Sequence, residues 1–85
     1  MFTEISRKRS RLADEVYAQV LDAVHRGAIA PDQRIVQERL AEELNISRTP
    51  VREALLRLEQ DGILVAAGTG GFIIRSITVD EVKEI

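Results

Sequence analysis

The sequence predicts an α+β domain in which three helices are followed by a two-stranded β-hairpin. Three observations predict it. Apolar residues recur at helical spacing in three separate stretches, each closed by Gly or Asn. Only residues 45–47 separate the second stretch from the third, too few for anything but a tight turn. After Gly62 the period changes, and two β-favouring runs flank a loop rich in glycine.

Residues 1–9 have no sustained periodicity and read as a flexible basic arm carrying Arg7, Lys8 and Arg9, with Arg11 just beyond. Such a run is either an ordinary solvated terminus or a contact to the backbone or minor groove of DNA. The first helix opens at Ser10 or Arg11. Leu12, Val16, Val20 and Val24 recur every four residues, widened by Ala13, Tyr17 and Leu21. It ends near Arg26, with Gly27 as its C-terminal cap. Tyr17 reads as a residue at the edge of the core. His25, in the last turn, suits the negative end of a helix.

Residues 28–33 form a turn built on Pro31 and Asp32, and Arg34 with Ile35 make a very short strand. The second helix covers about residues 36–43. Val36, Leu40, Ala41 and Leu44 supply its packing side, while Gln37, Glu38, Glu42 and Glu43 face solvent. Glu42 and Glu43 are adjacent, so their side chains diverge by about 100° and do not form an acid–base pair. Asn45 accepts the left-handed conformation of a tight turn, and Ile46 plugs the corner.

The third helix is capped by Ser47 or Thr49 and tolerates Pro50, because first-turn amides lack helical partners anyway. Val51, Ala54, Leu55 and Leu58 share one face. Thr49, Arg52, Glu53, Leu56 and Gln60 point the other way. Arg48 and Arg52 are four apart and lie along one side of the first turns. An arginine at the positive end of a helix is unfavourable unless an anion meets it. Two of them beside Ser47 and Thr49 make a helix start suited to the major groove.

Residues 63–66 and 72–74 are the two strands, joined through Ala67, Gly68, Thr69, Gly70 and Gly71. A hairpin directly after a helix-turn-helix makes a winged helix over residues 10–76. Gly68, Thr69 and Gly70 are then wing-tip residues able to approach a phosphate closely. A nucleotide-binding loop would instead require a following helix and a Lys. Thr78 and Glu81 form a capping box, and Val79, Val82 and Ile85 begin an apolar stripe. Residues 77–85 therefore read as a linker and the start of a further, C-terminal domain. The core is expected from Leu12, Val16, Val20, Leu40, Leu44, Val51, Leu55, Leu58, Ile63 and Phe72.

Composition narrows the function. A chain of 85 residues makes one small domain with a thin core. It has no Cys and one His, so neither a thiolate metal site nor a cofactor site is expected within it. No apolar run approaches the ~20 residues of a membrane span, and no signal-peptide core is present, which predicts a cytoplasmic location. Aromatics are 4% of residues, too few for a platform that stacks single-stranded bases. No nucleophile has a plausible base, which argues against an enzyme. The formal net charge of -2 opposes a whole-surface grip on DNA but permits a local basic face. The leading expectation is a sequence-specific double-stranded DNA-binding domain. The alternative, favoured by the acidic total and by Leu56, is a winged-helix protein-interaction module without direct DNA readout.

With these elements in place, the chain resembles the GntR family of bacterial transcription regulators over about residues 10–75. Residues 35–44, with Leu40-Ala41 and Leu44, look like the family's second helix. Ser47-Arg48-Thr49-Pro50-Val51-Arg52-Glu53-Ala54-Leu55 is similar to the signature of its reader helix. Leu58, Asp61-Gly62 and Leu64 match the helix exit and first wing strand, and Gly70 with Phe72 the wing. The Thr-Pro-Val-Arg-Glu-Ala form looks most like the subfamily with an all-helical effector domain. The resemblance implies a dimeric regulator, usually a repressor, on an inverted-repeat operator. It implies DNA contacts by Arg48 and Arg52, assisted by Ser47, Thr49 and the wing tip. It places a small-molecule effector, at times with a metal, in a C-terminal domain beyond Ile85. Dimerisation would also lie there, so the isolated domain is expected to be monomeric. The departures are Asp32 and Asn45 where Gly is usual, Gln37 for an acid, Leu56 for a basic residue and Thr69 for the wing Arg.

Overall fold

A computed structural model of the chain describes Phe2 and residues 9–75. The expected arm contacts Arg7 and Lys8 lie outside the described residues, as do the Thr78–Glu81 capping box and the apolar stripe after it. Helix α1 spans Arg9–His25, α2 Gln37–Leu44 and α3 Arg48–Gln60. Strands β1, Leu64–Ala66, and β2, Phe72–Ile74, close the order. Helix α1 thus begins before Ser10, inside the stretch expected to be a free arm. Helix α2 begins one residue later than expected because Val36 is extended, with φ -107° and ψ 128°.

All three helices end in the same way. Gly27, Asn45 and Gly62 have φ of 72°, 60° and 80°. In each case the left-handed residue donates to the carbonyl three back, and the next residue to the carbonyl five back. The longer bonds are Ala28 N to Ala23 O at 2.9 Å, Ile46 N to Ala41 O at 3.1 Å and Ile63 N to Leu58 O at 2.9 Å. This is the Schellman arrangement, which satisfies carbonyls at the helix end and folds an apolar residue back against the helix. Ile46 and Ile63 are the apolar residues so folded, and both pack against the core. Asn45 does in the turn what glycine would do, at a small steric cost.

The core is wholly apolar among the described residues. Val16, Val20, Leu44, Val51, Ala54, Leu55, Leu58 and Leu64 have no exposed surface. Helix α1 lies against α3, and α2 against α3, so α3 is covered on two sides by helices and on a third by β1. Two expectations need correction. Ala23, not Val24, continues the buried stripe of α1, because repeated four-residue steps drift by about 40° each and a three-residue step restores the face. Ile63 and Phe72 are only half-buried and pack at the margin, while Leu64, Ile29 and Ile35 fill the interior.

Strands β1 and β2 are antiparallel, pairing Leu64 with Ile74, Val65 with Ile73 and Ala66 with Phe72. The short strand expected at Arg34 and Ile35 is a single bridge. Ile35 N donates to Phe72 O at 2.7 Å and Phe72 N to Ile35 O at 2.9 Å. The turn before it is closed by Gln33 N to Ala30 O at 3.0 Å, with Pro31 and Asp32 at its centre. The bridge ties the entry of α2 to the wing, so helix-turn-helix and hairpin form one unit.

Candidate nucleic-acid interface

The buried face of α3 fixes its exposed face. With Pro50, Val51, Ala54, Leu55 and Leu58 turned inward, Arg48, Thr49, Arg52, Glu53 and Leu56 are left outward. Ser47 precedes the helix in extended conformation, with φ -73° and ψ 169°, but its hydroxyl makes no capping bond. This corrects the expected side-chain cap. The first amides of α3 are left without a side-chain acceptor, and an exposed helix start of that kind attracts anions.

The three arginines of α3 differ in what holds them. Arg57 is committed to the fold: it donates to Asp14 at 2.8 Å and lies 4.5 Å from the centre of the Tyr17 ring. Arg48 approaches Glu38 no closer than 3.9 Å, with both side chains largely exposed. Such a contact is a weak attraction through solvent rather than an ion pair in good geometry. Arg52 has no hydrogen-bond or ion-pair partner among the described residues. Arg48, Arg52 and Leu56 follow one another at four-residue steps along the outward side, and Leu56 is 38% exposed, a large apolar side chain facing water. Helix α2 and the turn line an open groove with Arg48, made by Glu38, Ala41, Glu42, Asn45, Ile46 and Ser47. The acids Glu38 and Glu42 therefore stand beside Arg48, where the sequence placed them only on a generic solvent side.

The wing carries Gly68, Thr69 and Gly70 at an exposed tip. Ala67 N donates to Gly71 O at 2.9 Å and Gly70 N to Ala67 O at 3.1 Å, which closes the loop tightly. Sequence reasoning missed Arg34. Its Nη1 donates to the Thr69 hydroxyl at 2.8 Å and to the Thr69 carbonyl at 3.1 Å. Nothing in the local pattern signals this, since the partners are far apart in sequence and only the Ile35–Phe72 bridge brings them together. Arg11 is exposed on α1 and shares an open depression with Asp14, Glu15 and Ala18, among acids rather than other basic groups. No group of metal-ligating side chains is present among the described residues. None of the described helices is long and apolar enough to cross a membrane.

Comparison with known proteins gives this geometry a context. Residues 12–74 match the family described as bacterial regulatory proteins, gntR family. The uncharacterised regulator YdhC of Bacillus subtilis is 39% identical over 71 residues, covering 84% of this chain and 32% of that protein. The solved structure of Escherichia coli McbR superposes with a TM-score of 0.75 at 34% identity, covering 86% of this chain and 34% of that one. The DNA-binding domain of AraR, solved in complex with its operator ORR3, gives a TM-score of 0.67 at 26% identity, covering 74% of this chain and 77% of that one. The chain spans 32% and 27% of the curated relatives YdhC and McbR.

Proposed function

The chain belongs to the GntR family of bacterial regulatory proteins, and from that premise we propose that Arg48 and Arg52 of its winged helix-turn-helix domain read the operator of a metabolite-responsive repressor. That the domain binds DNA accords with its likeness to domains solved on operator DNA, and the relatives are regulators rather than enzymes. One observation carries the residue assignment. Arg48 and Arg52 stand at the exposed start of α3 without a firm partner, whereas Arg57 is held by Asp14 and Tyr17.

Arg52, one turn into α3, donates two parallel bonds to guanine O6 and N7. Such a pairing discriminates by ~1–3 kcal/mol. Arg48 meets a base or a neighbouring phosphate, leaving Glu38 as it does so. Ser47, Thr49 and the uncapped amides of α3 take the phosphates beside it. Residues 10–76 are the DNA-binding unit, and residues 77–85 lead into a domain that binds a small-molecule effector and dimerises. The dimer meets an inverted repeat in the cytoplasm, and linkage of two copies raises the affinity of each half-site. The isolated domain is a monomer, which sedimentation at micromolar concentration tests.

The deciding experiment selects duplexes from a random library and compares the chosen sequence with its scramble across a salt series. Arg52→Ala is expected to lower binding to the chosen duplex and flatten discrimination. Arg7→Ala or Lys8→Ala is expected to weaken both duplexes alike, with a shallower salt dependence. An unchanged matched-to-scrambled ratio for Arg52→Ala would show that Arg52 is not the specificity residue.

A further inference from the structure

The wing has no cation of its own at the tip, where Thr69 stands, yet the structure puts one there. Arg34 is carried on the extended segment before α2, and that segment is fastened to β2 by the two backbone bonds between Ile35 and Phe72. From this anchor its Nη1 reaches the Thr69 hydroxyl at 2.8 Å, the Thr69 carbonyl at 3.1 Å and the Gly70 carbonyl at 3.4 Å. All three contacts fall on one nitrogen. Nε and Nη2 have no partner among the described residues, and no carboxylate pairs with Arg34 there. The side chain is exposed. A surface arginine is held by three neutral oxygens, its full charge uncompensated and most of its donors unused.

We propose that Arg34, held at the hairpin tip by Thr69 and Gly70, supplies the wing's contact to a DNA phosphate. The inference rests on the DNA-binding reading above. A phosphate rather than a base is the target because the guanidinium is drawn back against the loop carbonyls. It presents a charge at a set position instead of extending past the tip into a groove. Thr69 thus seats at the tip a cation carried by another element, and Gly68 and Gly70 leave the approach open, since a Cβ at either would meet nothing within 4 Å.

The test uses the 85-residue chain, a mixed-sequence duplex, the duplex selected from a random library, and fluorescence anisotropy across a salt series. Arg34→Ala is expected to weaken binding to both duplexes alike, roughly 8-fold at ~0.1 M salt, and to flatten the log–log salt slope by about 0.9. Arg34→Lys is expected to retain that slope. Thr69→Val, which removes the hydroxyl, should weaken binding less than Arg34→Ala does and add nothing to it in the double variant. Unchanged affinity and slope for Arg34→Ala, alongside a loss for Arg48→Ala, would overturn the inference and leave the DNA-binding reading standing. A changed ratio between selected and mixed duplexes would overturn the phosphate assignment in favour of base reading. Failure of the unaltered chain to bind any duplex would remove the DNA-binding reading, and this inference with it.

Discussion

Tyr17 is the only tyrosine in the chain, and there is no tryptophan. Its hydroxyl donates to the Asp61 carboxylate, and Arg57 lies over its ring while bonding Asp14. One half-buried side chain on α1 thereby gathers the second half of α3. Its pKa is raised above 10.0, first by the bond to Asp61, then by desolvation and the Asp61 charge, with Arg57 opposing. Ionisation would remove the donated proton and set two anions side by side. Because the folded value is raised, the contact contributes fully below the unfolded value and is lost as pH rises through the folded one. The ultraviolet titration of the folded chain should therefore have its midpoint above that of the unfolded chain. Asp61→Asn should move it down. Coincident midpoints for folded and unfolded chain would mean that the hydroxyl is not engaged. At the same scale, the exposed arginines were legible from position alone. That Arg57 is taken and Arg48 and Arg52 are not required knowing what lies across from each.

Among the elements, the hairpin is the one whose residues carry the tightest geometric demand. Gly71 has φ of +75°, and a Cβ there would stand 2.8 Å from the Ile35 carbonyl oxygen. That oxygen accepts the bond from Phe72 N, so the position is crowded by the bridge itself. Gly71→Ala should be destabilising on both counts, with the left-handed conformation alone costing ~1–2 kcal/mol. The expected outcome is a lower denaturation midpoint and faster hydrogen exchange at the Phe72 amide. Gly68→Ala is the control, since its backbone is unstrained and a Cβ there meets nothing within 4 Å. Equal stability of the two variants would argue against the bridge. The turn residues made the hairpin readable in sequence, whereas the crowding at Gly71 arises from a segment far back in the chain.

For the whole molecule, the decisive feature is that α1, α2 and β1 all pack on α3. Leu55 is fully buried there, with Val51, Ala54 and Leu58 as its equally buried neighbours. Leu55→Ala should cost ~2–5 kcal/mol through lost burial and the cavity left behind. In a domain of this size that is a large part of the total stability. Denaturant titration should show a lower midpoint with a similar slope, and an unmoved midpoint would place Leu55 outside the core. Loss of the core would also free the exposed face, because Arg48 and Arg52 are oriented only by what Leu55 and its neighbours hold inward.

The three helices, their stops, the hairpin and the side of α3 that faces out were readable along the chain. Each of these follows from local spacing and from residues such as Asn45 and Gly62, whose backbone preferences act within a few positions. The sequence also carried the resemblance to the GntR family, since the reader-helix motif is contiguous. Only the tertiary structure decided which half-apolar positions became interior, exchanging Phe72 and Ile63 for Ile29, Ile35 and Leu64. It also decided the pairing of Arg57 with α1 and the seating of Arg34 on the wing. The physical reason is shared: these outcomes depend on groups distant in the chain that meet only after the helices pack, and side-chain period carries no information about partners across a fold.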